Sequence, residues 1–311
     1  MSVCSVGRFL AIGLIASLPA ATVHATVAPL QLLTRMFEAR RTVSYEGDFV
    51  YLQNGQMTTL HIVRQVGKHT DQEHISTLDG PVREVVRHQG QATCTLPTGQ
   101  SVVLVGRPIS PGALQHIDEI TAYYDLRLGK NERIAGRNAQ SLEVYPRDDL
   151  RYGHRFWLDL DTGLLLKSEL LGKQGDVLER VLFIRMSLVT EPVDPVESKE
   201  SKVVPAQTTQ ALANAGSVAW TVGQLPAGFR LEEGNQQDTA STQQFVYSDG
   251  LATVSVFVER VPADRETMRG LSRRGALNIY STRYRDWQVT IVGEVPEATV
   301  TRMGTSFHLH D

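Results

Sequence analysis

Between Val43 and Leu188 the chain is broken at short, regular intervals by turn-forming residues, and this spacing constrains the fold more than any other feature. Asn54-Gly55 is the strongest short hairpin signal available, because a two-residue type I′ turn needs positive φ at both central positions. Asp79-Gly80-Pro81, Gln89-Gly90, Pro97-Thr98-Gly99, Ala135-Gly136, Asp161-Thr162-Gly163 and Gln174-Gly175-Asp176 follow. The spacing predicts strands near 82–88, 91–96, 101–105, 138–145, 154–160, 164–172 and 176–188. Upstream, Val43, Tyr45, Phe49 and Tyr51 alternate with Gly47 in phase, and Leu60, Ile62 and Val66 share one face of a return strand. Such punctuation implies an antiparallel meander. Ahead of it, Leu32, Leu33, Met36 and Phe37 recur at helical spacing after Pro29, which suits a first helical turn. The segment 108–124 has two prolines and no alternation, and reads as a loop with short helical turns.

Val177 to Leu188 would span ~40 Å as a strand at about 3.3 Å per residue. It is apolar on both faces, with Leu178, Leu182, Ile184, Met186 and Leu188 on one and Val177, Val181 and Phe183 on the other. A half-solvated sheet would alternate more cleanly. Either a helix packs on it or one face lines an apolar cavity. Strand phase nominates Phe49, Tyr51, Leu60, Ile62, Phe156, Leu182 and Ile184 for the cavity. Arg64, Arg83, Arg87 and Arg107 could ring its mouth and meet lipid phosphates.

The N-terminus reads as an export signal. Arg8 is the only charge before an apolar run from Phe9 to Leu18, which is about half a bilayer span. Pro19 ends the run, and Val23-His24-Ala25 supplies small residues at positions suited to cleavage after Ala25. The mature chain would keep one of the two cysteines, Cys94, and so would hold no internal disulfide. A cysteine-poor exported body points to a bacterial periplasm. From 191 to 216 the chain carries three prolines, four acids, two lysines and no aromatic residue, the composition of a linker. The expected organisation is therefore a leader at 1–25, a large unit at 26–190, a linker at 191–216 that would let the two units reorient, and a small α+β unit at 217–311. In the small unit a hairpin fits 244–247 and 251–258, 266–280 has weak helical or loop character, and the last residues, ending in His308-Leu309-His310, would fray.

The residues offer no catalytic constellation. A Gly-x-Ser-x-Gly elbow, a Walker loop, a dinucleotide fingerprint and a His-Glu-x-x-His pair are all missing from the sequence. No cofactor is implied. The formal net charge of −3 gives no excess for a nucleic-acid partner. Charge is informative elsewhere: all nine basic residues after 216 are arginines, against eleven acids. Arg269, Arg273, Arg274, Arg283 and Arg285 cluster there, and arginine is favoured at protein interfaces.

Several short motifs, taken in order, resemble one family. They are Tyr45-Glu46-Gly47, 78–86 (LDGPVREVV), Tyr123-Tyr124-Asp125, Ile134-Ala135-Gly136-Arg137, Arg155-Phe156-Trp157-Leu158-Asp159, 225–229 (LPAGF), 247–251 (YSDGL) and 289–296 (VTIVGEVP). Each alone is a weak turn motif. Their order and spacing are similar to the RseB/MucB family of periplasmic regulators of the envelope-stress sigma factor, across essentially the whole mature chain. The resemblance implies an α+β protein: a large antiparallel half-barrel with helices, like the lipoprotein carriers, and a small C-terminal α+β domain. It implies a non-enzymatic negative regulator that binds the periplasmic domain of a single-pass anti-sigma factor. By binding, the regulator shields that factor from site-1 proteolysis, and lipid or lipopolysaccharide releases it. The five arginines of the small unit are then candidates for the anti-sigma contact. A periplasmic lipoprotein or lipid carrier is the alternative. Homo-oligomerisation, and alginate control as against general envelope stress, stay open.

Overall fold

The computed structural model describes residues 28–67, 70–88, 91–95, 101–104, 116–189, 220–232, 237–238, 242–262, 264–265 and 267–309. The leader at 1–25, the linker at 191–216 and Arg107 lie outside these residues.

The first helix, α1 (Pro29–Thr42), starts at Pro29 and buries Leu32, Leu33, Met36, Phe37 and Ala39, the face anticipated from its spacing. Arg40 and Arg41 sit in its last turn, where cations oppose the helix dipole favourably. Eleven strands follow: β1 (Tyr45–Gln53), β2 (Gln56–Val66), β3 (Asp71–Thr77), β4 (Glu84–His88), β5 (Gln91–Thr95), β6 (Ser101–Leu104), β7 (Tyr124–Ile134), β8 (Arg137–Pro146), β9 (Gly153–Asp159), β10 (Leu165–Leu171) and β11 (Val177–Leu188). A short 3-10 helix, Ile117–Ala122, precedes β7. Together the strands form one antiparallel sheet in the order β6-β5-β4-β3-β2-β1-β11-β10-β9-β8-β7. Among the described strands of this sheet the only non-sequential neighbours are β1 and β11, so two meanders are joined along the first and last strands. The sheet stays open, since β6 and β7 end it and do not pair with each other. Its inner face packs on α1 through two apolar clusters. Leu142, Val144, Phe156 and Leu158 meet the start of the helix, and Phe49, Ile62, Leu166 and Phe183 gather near Ala39.

The outer face carries a row of alternating charge in strict register. Arg127, Glu143, Arg155, Glu169 and Arg180 are successive cross-strand neighbours on β7 to β11. Arg155 contacts Glu143 at 3.4 Å and Glu169 at 2.9 Å, and Arg180 Nε reaches Glu169 at 2.9 Å. Opposite charges directly across strands favour this register over a slipped one.

The second unit holds β12 (Trp220–Val222), β13 (Arg230–Leu231), β14 (Gln237–Asp238), β15 (Thr242–Ser248), β16 (Thr253–Arg260), β17 (Gly270–Arg274), β18 (Leu277–Tyr284), β19 (Trp287–Gly293), α2 (Glu297–Thr305) and β20 (Phe307–Leu309). Seven of these strands form a sheet ordered β13-β15-β16-β19-β18-β17, with β14 also paired to β15. Val254, Val256, Val258, Val289, Ile291, Val300 and Met303 fill its core. Two expectations are corrected here. The described part of the stretch 266–280, from 267, is not helical: it holds β17 and the start of β18, joined by a Gly275 turn. The C-terminal residues do not fray up to Leu309, because Phe307–Leu309 pairs with Trp220–Val222 and Phe307 stacks on Trp220 at 5.2 Å.

Candidate functional site

A cavity of about 400 Å³ opens between α1 and the inner face of the large sheet, and Glu294 of the second unit borders it. Met36, Phe49, Ile62, Phe156, Leu164, Val181 and Phe183 give it apolar walls. Phe49 and Phe183 pack with ring centroids 5.4 Å apart, Tyr45 meets Phe183 edge-on at 6.0 Å, and His154 stacks on Phe156 at 5.3 Å. Gly47 makes room for this cluster. A Cβ there would stand 2.5 Å from the Arg185 carbonyl oxygen and 3.0 Å from the Phe183 ring.

Charged groups mark two regions of the wall. In one, Glu73 accepts from Arg64 at 3.4 Å and from Arg87 at 3.1 Å, and Arg64 also reaches Asp71 at 2.9 Å. Arg64 Nε donates to the Arg40 carbonyl at 3.1 Å. Burial lowers the Arg40 guanidinium, although Glu73 opposes that shift. The Tyr45 hydroxyl is pushed up to about 12, first by burial and then by Glu73. In the other region, Glu179 accepts from the Tyr51 hydroxyl at 2.9 Å and from the Gln53 amide. Loss of water, and next the charge of Glu179, raise the Glu294 carboxyl to about 7. Burial pushes His154 down to about 4, so its imidazole is neutral at pH 7.

The candidates from strand phase divide. Phe49, Ile62 and Phe156 line the cavity. Tyr51 and Leu60 pack against the apolar cluster beside it. Leu182 and Ile184 do not line it, and their assignment is corrected. Val181 and Phe183 face inward, so Leu182 points to the other side, and Ile184 is 55% exposed. The cause is a bulge in the β1–β11 ladder. Asp48 pairs with Arg185 and Phe49 with Phe183, so Ile184 is the extra residue and the phase changes across it. Phe183 and Met186 are both buried on either side of that change. The sequence reading missed Met36, Arg40, Val181 and Phe183 as wall residues. The apolar stripe of α1 marked Met36, while nothing local marked the bulge.

Among the phosphate candidates, Arg64 and Arg87 converge on Glu73, whereas Arg83 lies exposed in the turn before β4. The five arginines of the second unit lie close to β17 and β18. Arg269, Arg273 and Arg274 are exposed at or just before β17, which ends the small sheet. Arg283 is engaged with its own unit, donating to the carbonyls of Pro262, Arg265 and Arg285 at 3.0 to 3.1 Å. Arg285 occupies a turn at φ 53°. Among the described residues no cluster of three or more His, Cys, Asp or Glu is placed to hold a metal ion, and no helix is long and apolar enough to cross a membrane.

Comparison with known proteins covers both units. The MucB/RseB N-terminal domain description matches residues 28–207 and the MucB/RseB C-terminal domain description matches 204–308. The sigma factor AlgU regulatory protein MucB of Pseudomonas aeruginosa is 36% identical over 288 residues, covering 88% of this chain and 89% of that protein. The sigma-E factor regulatory protein RseB of Escherichia coli K12 is 27% identical over 294 residues, 91% of each chain. Among solved structures, the P. aeruginosa MucA/MucB complex superposes with a TM-score of 0.68 at 31% identity, covering 91% of this chain and 99% of that one. MucB in complex with MucA(peri) gives 0.66 at 32% identity, covering 91% and 100%.

Proposed function

This chain belongs to the MucB/RseB family, and from that membership we propose that it is a non-enzymatic periplasmic regulator of a sigma-E-type envelope-stress response. It binds the periplasmic domain of an anti-sigma factor and shields that domain from its first protease. Lipid or lipopolysaccharide entering the large unit weakens the complex. The observation that carries this reading is the match of both domain descriptions in order, together with likeness over nearly the full length to a MucB seen bound to MucA(peri).

The cavity supports the lipid arm. Its walls suit an acyl chain, and Arg40 with the Arg64–Glu73–Arg87 group lies where a polar headgroup would meet charge. The partner arm falls on Arg269, Arg273 and Arg274, whose exposed forks suit carboxylates on an acidic segment. A ligand that favours the released state acts through a coupling energy of about 1–3 kcal/mol. An export signal at 1–25 and a linker at 191–216 belong to the same proposal.

A protection assay tests it. The labelled periplasmic domain of the anti-sigma factor is cut by its site-1 protease with and without the mature protein. Cleavage at least tenfold slower with the protein supports the reading, and equal rates contradict it. The carrier alternative predicts unchanged cleavage together with extraction of lipoproteins from inner-membrane vesicles.

A further inference from the structure

The connection between β8 and β9, residues 147–152, is one of the places where the two units meet; Glu119 with Arg230, and Gln53 against Gly275, are others. The Leu150 carbonyl accepts from Thr299 Oγ1 of α2 at 2.5 Å. The Tyr152 hydroxyl accepts from Asn278 Nδ2 of β18 at 3.0 Å. Between them, Arg151 has a side chain with no exposed surface and pairs at 3.2 Å with Asp249 Oδ2 across the junction, an equally buried partner. Arg151 also donates to the Ala227 carbonyl. Its guanidinium lies 5.0 to 5.5 Å from the ring centroids of Tyr123, Tyr124 and Phe229.

Asp249 is held from both sides of the junction, by amides of its own turn and by Tyr124 of β7. One oxygen accepts from the Leu251 and Ala252 amides at 3.0 and 2.8 Å, while the other receives the Tyr124 hydroxyl at 2.8 Å. Gly228 brings its loop against the Tyr123 ring at φ +86°, where a Cβ would stand 2.5 Å from a ring carbon. Desolvation makes a buried ion pair a poor source of net stability. What it supplies is geometry. A rotation that kept the junction dry would strip Asp249 of Arg151 and Tyr124 and leave Arg151 only Asp148 of its own loop, at 3.4 Å, at a several-hundred-fold or larger penalty on the rotated state.

The same junction reaches the cavity. Asn278 Nδ2 also donates to the Val295 carbonyl at 2.8 Å, next to Glu294 in the cavity wall. We propose that Arg151 is a positioning residue. Its pair with Asp249 fixes the angle between the two sheets and so holds Glu294 in the cavity wall, coupling cavity occupancy to the arginine-bearing small sheet. The coupling to a partner rests on the proposed function, whereas the fixed angle does not.

Spin labels at Glu132→Cys on β7 and Arg302→Cys on α2, both exposed, in a Cys94→Ser background of the full mature chain, read the angle directly. The parent gives one narrow distance distribution. Arg151→Met, and independently Asp249→Asn, which keeps an oxygen for the turn amides, broaden or split it and weaken anti-sigma binding about tenfold. Arg151→Lys recovers part of the loss. Tyr124→Phe, which removes one hydroxyl, shows a smaller broadening and serves if Arg151→Met does not fold. Unchanged narrow distributions in Asp249→Asn and in whichever Arg151→Met or Tyr124→Phe folds overturn the fixed angle. Broadening with parental affinity overturns the coupling. A parent that binds no anti-sigma fragment overturns the coupling and the proposed function together, and the distance measurement still decides the angle.

Discussion

The two sheets are stabilised in different ways. The small sheet is closed by packing: Val254, Val256, Val258, Ile291, Val300 and Met303 have no exposed surface, and α2 covers them. The large sheet leaves a cavity of about 400 Å³ on its inner face, with Arg40, Glu73 and Glu179 among the apolar residues of its wall. Among the described residues the charged residues buried as a whole, Arg64, Glu73, Arg151, Asp159 and Glu169, belong to the large unit. Asp249 is the small unit's contribution, and it points across the junction. The difference teaches a division of labour. A close-packed sheet presents a fixed outer surface, whereas an open sheet with aromatic walls leaves room beside its helix.

The largest expected effect attacks the charge side of that comparison. Glu73→Ala strands Arg87 and leaves Arg64 only Asp71 and the Arg40 carbonyl, and should destabilise the large unit by about 3 kcal/mol, read by urea unfolding. A loss below about 1 kcal/mol would mean that the network does not support the cavity. Next, the same truncation on both sheets should give unequal costs. Ile291→Ala, in the closed core, should cost about 3 kcal/mol. Ile62→Ala, on the cavity wall, should cost only about 1–2 kcal/mol, because part of its surface already lacks packed neighbours. Equal costs would erase the distinction.

At the surface, Arg273→Ala with Arg274→Ala should leave stability within about 0.5 kcal/mol of the parent. The same pair should weaken anti-sigma binding about tenfold, or about 1.4 kcal/mol. Parental affinity would remove β17 from the partner surface. Phe49→Asp is the converse, expected to abolish lipid binding while the small sheet is untouched.

The smallest effects are in pH dependence, and they are confined to the cavity wall. His154 is depressed from 6.5 to about 4, so the unfolded chain takes up a proton that the folded wall refuses. Stability from this group is present above pH 6.5 and is lost as pH falls toward 4. Glu294 has the opposite sign. Its carboxyl is raised from 4.5 to about 7, so its contribution is complete below pH 4.5 and is lost as pH rises toward 7. His154→Phe should flatten the acid side of a Tm-versus-pH curve, and Glu294→Gln should flatten the slope toward neutrality. Unchanged curves would place both groups in water.

Much of this architecture was legible in the sequence wherever local chemistry decides it. Pro29 with the 32-33-36-37 stripe marked α1, and Asn54-Gly55 and Asp161-Thr162-Gly163 marked turns that the strands obey. β3 and β7 went unread because polar and charged residues dominate DQEHIST and YDLRLGKNERI, and their neighbours in the sheet supply what propensity does not. β17 failed for the same reason, with all five residues exposed. The site was legible only in part. Phe49, Ile62 and Phe156 followed from alternation, but the Ile184 bulge shifts the phase of β11, and bulges leave no reliable local signal. Arg151 was invisible as a junction residue, because its meaning lies in Asp249, which only the tertiary fold brings to it.

The central claim is that an occupied cavity weakens partner binding. The direct test is a calorimetric titration of the mature protein with the periplasmic domain of its anti-sigma factor, with and without lipopolysaccharide below its aggregation range. The account predicts tight binding alone and at least fivefold weaker binding with lipopolysaccharide, with the difference lost in Phe49→Asp. Affinity that lipopolysaccharide leaves unchanged would contradict it.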